Sequence, residues 1–140
     1  MPGWLLYALL SAFFAALTAI FAKMGLKAVN ADLATAIRTA IILFITWAIV
    51  FVRGNQSGLA SLSKNNWIFL TLSALATGAS WIFYYRALQM GKVSEVSAID
   101  KGSIVITILL SFIFLKDPVT PKILIGAGLI LAGMIVIVSK

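Results

Sequence analysis

Asp100 and Lys101 stand side by side inside an otherwise apolar stretch, 94–117, SEVSAIDKGSIVITILLSFIFLKD. Leu, Ile, Val and Phe fill the rest over roughly 20 residues, the length of helix that crosses the hydrocarbon of a bilayer. A charge about two turns inside such a helix is costly unless it faces protein or water. The pair therefore predicts a polar interior shared by several helices, that is, a permeation or binding pathway. The structural alternative is that both side chains snorkel, or pair only to hold helices together. Arg38 raises the same question in another apolar run, about one and a half turns in, with Thr35, Thr39 and Thr46 on or near its side. A guanidinium keeps its proton, so at this depth it needs a carboxylate, carbonyls or water. Asp100 and Glu95 are the candidate acids, and snorkelling toward the near interface is the alternative.

Two polar stripes accompany these charges. Ser73, Thr77, Ser80 and Tyr84 fall at steps of four, three and four, and Asp100, Ser103, Thr107 and Ser111 at steps of three, four and four. Each set lies on one face of a helix, and the two faces can be apposed. Trp81, Tyr84 and Tyr85 would then line a cavity. Stripes of hydroxyls also serve as interhelical glue, which leaves both readings open. Lys101 points about 100° away from Asp100, toward a neighbouring helix or a second subunit.

The composition excludes most other chemistry. Of 140 residues, 62% are hydrophobic and 11% charged, far from soluble averages. The formal charge of +7 comes from Lys and Arg scattered near the ends of apolar blocks, the pattern selected by headgroups and loop topology rather than by nucleic acid. With no Cys and no His, disulfides, thiol chemistry and the usual transition-metal ligands are out. There is no Gly-rich phosphate loop and no Ser/His/Asp set, so no enzymatic activity, metal or cofactor is expected.

The elements that must position these groups are five apolar spans at about 4–24, 33–52, 67–89, 95–115 and 121–138, forming one all-α, polytopic membrane domain over 1–140. The first lacks the basic start and cleavage site of a secretory signal and reads as a retained span. Asn30 or Asp32 caps the second. The polar segment 53–66, RGNQSGLASLSKNN, reads as a plain connector. Gly91 ends the third span and Ser94 with Glu95 starts the fourth, making a tight hairpin. Thr120 and Pro121 open the fifth. That helix carries Gly126, Gly128, Ala132 and Gly133, whose spacing suits close helix packing or dimerisation.

Five crossings place the termini on opposite sides. About four Lys or Arg flank the N-terminal side (Arg53, Lys64, Lys116, Lys122) and about five the other (Lys23, Lys27, Arg86, Lys92, Lys140). Such near balance permits insertion in both orientations. Transporters commonly join two inverted repeats around a midplane site, so two copies of a five-helix unit predict a homodimer, antiparallel in one version, with ten helices.

The segments WLLYALLSAFFAALTAIFAKMGLK, DLATAIRTAIIL, LATGASWIFYYRALQMGKVSEVSAIDK and FIFLKDPVTPKILIGAGLILAGMIVI resemble, in this order and spacing, one EamA-type repeat of the drug/metabolite transporter superfamily. The likeness covers nearly the whole chain and is strongest in YYRAL up to Gly91 and in the tail from Phe114 to Gly133. It implies a carrier of small polar or amphipathic metabolites, usually built from two repeats. This sequence departs from the family pattern where relatives carry a Pro-containing break in the fourth helix, here Asp100, Lys101 and Gly102, and where they carry Gly-Glu after it, here Lys116 and Asp117. The four-helix small multidrug resistance carriers are similar in size, but their coupling carboxylate lies in the first helix, which has none here.

The expectation is a secondary transporter of small metabolites in the cytoplasmic membrane, working by alternating access in a homodimer. Asp100, with Glu95 nearer the surface, is the candidate proton-coupling group, on which burial and an adjacent cation act in opposite senses. Arg38 and Lys101 outnumber Asp100 as deep charges, which favours a substrate with a carboxylate. Substrate contacts are expected from Arg38, Ser73, Thr77, Ser80, Trp81, Tyr84, Tyr85, Asp100, Lys101, Ser103 and Thr107. The alternatives are a non-transporting membrane subunit and a multidrug exporter.

Overall fold

The structure is a computed structural model and describes residues 2–139, so Lys140, one of the flanking cations counted above, lies outside the described residues. Its helices are α1 (Gly3–Gly25), α2 (Ala31–Val52), α3 (Lys64–Met90), α4 (Val93–Lys101), α5 (Ser103–Leu110) and α6 (Pro121–Val138), with a 3-10 helix at Asn55–Ser61 and a π-helical turn at Ser111–Leu115. Taking α4, α5 and the π turn as one crossing, five helices are long and apolar enough to span a membrane. In hydrocarbon only a helix satisfies every backbone N–H and C=O within its own segment, so apolar runs of this length fold this way. Most large apolar side chains point outward, Phe44 and Phe114 each 75% exposed.

The chain divides into two compact units, residues 22–89 and the remainder. In the first, Asn30 settles the start of α2: its Oδ1 accepts from the N–H groups of Asp32 (2.8 Å) and Leu33 (3.2 Å). Asp32 is thereby released from capping. The connector after α2 is less plain than its composition suggests. Gly54 turns the chain in the left-handed region (φ 69°), a conformation glycine adopts without strain, and the 3-10 helix follows. α3 begins at Lys64, ahead of Trp67, because the Ser63 hydroxyl accepts from the Asn66 N–H (3.2 Å) and adds a polar first turn. Leu26, Ala31, Thr35, Tyr85 and Leu88 are buried where α2 begins and α3 ends.

In the second unit the fourth crossing begins at Val93, not at Ser94 or Glu95, with Lys92 in the capping position and no side-chain cap. It is interrupted at Gly102, where the ladder tightens: the Gly102 N–H donates to the Ile99 carbonyl (2.9 Å) and the Val105 N–H to the Gly102 carbonyl (3.1 Å). A Cβ on Gly102 would lie 3.0 Å from the Ile99 carbonyl oxygen and 3.1 Å from Met134 Sδ, so the missing side chain leaves room both for the tightened turn and for α6 beside α4. The crossing closes on Lys116, which takes the left-handed conformation usually left to glycine (φ 57°). The Ser111 hydroxyl donates to the Asp117 carboxylate across this turn. On α6, Thr120 Oγ1 accepts from the Ile123 N–H (3.4 Å) ahead of Pro121. A Cβ at Gly126, Gly128 or Gly133 would meet nothing within 4 Å, so the close approach on this helix is made at Gly102 and Met134.

Candidate functional site

In residues 22–89 the site is built on the α2–α3 pair. Its end is fastened by polar contacts that the two helices could make only when antiparallel. Arg86 grips Asp32 with Nε and Nη2 at 3.3 and 3.0 Å from Oδ1 and Nη2 at 2.9 Å from Oδ2. A fork this regular fixes both rotation and register of the two helices. Gln89 Nε2 donates to the Val29 carbonyl (2.6 Å), and Lys23 Nζ donates to the Leu88 carbonyl near the end of α3. By sequence Arg86 is one of the flanking cations and Asp32 an alternative cap. The signal that could have joined them is positional: one lies in the first turn of a crossing, the other just inside the end of the next, on the same side of the membrane.

Because Arg86 occupies Asp32, Arg38 is left without that acid. It makes no ion pair among the described residues. Its guanidinium instead lies over the indole of Trp81, 3.8 Å from the ring centroid, and 5.7 Å from the centre of Tyr85. The electron-rich faces of both rings attract the cation and shield one side of it. Stacking uses the π face of the group and does not use its in-plane N–H donors, which are what a carboxylate engages. Arg38 is half-buried and Tyr85 buried.

Trp81 also closes one end of a groove of about 390 Å³ between the two helices, lined with Thr39, Ile42, Thr46, Leu70, Ser73 and Thr77 among others. Ser73 and Thr77 from the expected stripe thus open toward Thr39 and Thr46 of α2, whereas Ser80 and Tyr84 are not among the lining residues. Thr39 donates to the Thr35 carbonyl (2.8 Å), Thr46 to that of Ile42 (2.9 Å) and Thr77 to that of Ser73 (2.9 Å). Each hydroxyl proton is satisfied by its own helix, so these residues can sit in apolar surroundings at little cost.

In the other unit, Asp100 and Lys101 close α4 immediately before the Gly102 interruption, and their charges meet each other at 3.4 Å, each side chain about half exposed. Glu95 pairs with Lys92 at 3.0 Å in the first turn. Ser103 and Thr107 lie on α5, beyond the break. The crossing therefore tightens at Gly102, next to the ionisable pair, while the glycine stays in the right-handed helical region (φ -59°, ψ -21°). Among the described residues no group of three or more His, Cys, Asp or Glu could hold a metal ion.

A protein from Sinorhizobium sp described as an uncharacterized transporter in the cobO 3′ region is 43% identical over 135 residues, covering 96% of this chain and 96% of that protein. No solved structure matches the chain. A model of the EamA-like transporter family matches residues 2–139, which hold all five spans. With five crossings and this match, the chain belongs to the EamA-like transporter family and is a multi-pass membrane protein.

Proposed function

We propose that the protein is a secondary transporter of small polar or amphipathic metabolites that carry a carboxylate, and that two copies form the working unit in the cytoplasmic membrane. The observation that carries the substrate reading is Arg38: a permanent cation about two turns inside α2, held on Trp81 and Tyr85, with no acid among the described residues to answer it. Its in-plane donors suit a carboxylate, and the adjoining groove suits a short, partly apolar body. Asp100, at the end of α4 beside the Gly102 break, is the proton-coupling group, and Lys101 is its resting counter-ion. In this reading the tightened turn at Gly102 is the point at which the crossing bends beside its coupling residue.

The dimer is supported by the five-helix unit and by the open faces of Gly126, Gly128, Ala132 and Gly133, which allow a second backbone to approach closely. An antiparallel pair further requires both orientations in one membrane, so an accessibility assay at each terminus that finds one topology would remove it.

The test is uptake into liposomes by purified protein, after a thermal-shift screen of carboxylates, amines, sugars and nucleotide sugars has chosen the solute. A ligand stabilises the form it binds. Saturable uptake of a carboxylate that requires Arg38 is the expected result. No solute taken up above protein-free vesicles, or uptake indifferent to Arg38→Gln, overturns the reading.

A further inference from the structure

Within residues 22–89 a second pocket, of about 330 Å³, is lined by Lys23, Leu26, Lys27, Ala28, Leu88 and Gln89, none of which borders the groove beside Trp81. Its lining holds two ammonium groups and no carboxylate. The one acid in residues 22–89, Asp32, is taken by Arg86. Lys23 is held in place by its bond to the Leu88 carbonyl and provides a fixed positive charge. Lys27 is exposed. It lies in the short connection after α1, where Ala28 adopts a left-handed conformation (φ 58°) that bends the chain around the pocket. The pocket opens where two membrane spans end, α1 at Gly25 and α3 at Met90. That is the level of lipid headgroups, and basic pockets between helix ends there attract anionic ones.

We propose that this pocket binds the phosphate of an anionic phospholipid headgroup, with Lys27 as the principal contact and Lys23 as the fixed charge behind it. The site is independent of any transported solute, since none of its residues is assigned to one.

The test is native mass spectrometry and thermal unfolding of the full-length protein in neutral detergent, with phosphatidylglycerol, phosphatidylcholine or inorganic phosphate added. Phosphatidylglycerol should be retained and should raise the unfolding temperature, phosphatidylcholine should not, and Lys27→Gln should weaken retention about five-fold. Among the described residues Lys27 bonds to no other side chain, so this variant should fold even if Lys23→Gln does not. Lys64→Gln, at the opposite end of α3, should leave retention unchanged. Equal losses in the Lys27 and Lys64 variants would reveal general charge attraction and overturn the site. Stabilisation of the same size by inorganic phosphate alone would overturn the lipid assignment.

Discussion

Arg38 and Asp100 each lie about two turns inside the start of an apolar crossing, but α2 runs on regularly past its charge while the crossing that carries Asp100 tightens at Gly102. Arg38 is held by rings on another helix, so its position depends on how α2 and α3 pack. Asp100 is answered by its own neighbour, Lys101, and the backbone gives way beside it at Gly102. A cation placed by tertiary packing stays where the scaffold puts it. An acid paired within its own turn is answered locally, whatever its neighbouring helices do. Under the proposed function the first arrangement would serve recognition and the second coupling.

The contrast is tested most severely by neutralising the two charges. Asp100→Asn should abolish proton-driven accumulation while leaving solute counterflow intact, whereas Arg38→Gln should weaken both, raising KM for a carboxylate about 10- to 100-fold, the worth of a charge-assisted hydrogen bond. Vesicle uptake with and without a proton gradient separates the two outcomes, and identical behaviour of the variants would erase the distinction. Next in size is the break itself. Gly102→Val would put side-chain atoms against Met134 and should lower stability by about 2 kcal/mol, with part recovered in the Gly102→Val, Met134→Ala double variant. Equilibrium unfolding in mixed micelles measures both.

A smaller effect is expected at the clamp that orients Arg38. Asp32→Asn removes the fork to Arg86, and because the pair is half exposed the loss should be about 1 kcal/mol. Its diagnostic sign is a change in Trp81 fluorescence as the α2–α3 register loosens. An unchanged spectrum would mean that stacking, not the fork, sets the rotation. The smallest effect is at the end of the broken crossing: Lys116→Gly should raise stability by about 0.5–1 kcal/mol by relieving a left-handed lysine. Differential scanning fluorimetry resolves a shift of that size. A fall instead would show that the lysine side chain has a partner worth more than the strain.

The crossings and two of their caps were legible in the sequence because length, apolarity and capping residues are local signals: Asn30 and Thr120 are small oxygen-bearing residues just ahead of apolar runs. Arg38 was singled out for its depth alone. What answers it was not legible, since the rotation that brings Trp81 beneath a residue 43 positions earlier depends on side-chain packing along two whole helices. Ser73 and Thr77 were recognised as a face, but a single helix carries no record of which neighbour that face meets. The glycine at 102 was noticed only as a departure from a proline pattern. That it serves as the passage for Met134 could be seen only once α6 had been placed.

The threonines along the groove have a consequence for what can enter it. Thr39, Thr46 and Thr77 have already given their protons to carbonyls of their own helices, so the oxygens they turn toward a visitor can receive but not give. A solute that brings N–H or O–H groups can exchange its hydration water for these oxygens at nearly even terms. One offering only ether or ketone oxygens would meet lone pair against lone pair at these three positions, a selection made by the wall's backbone and not by its charge.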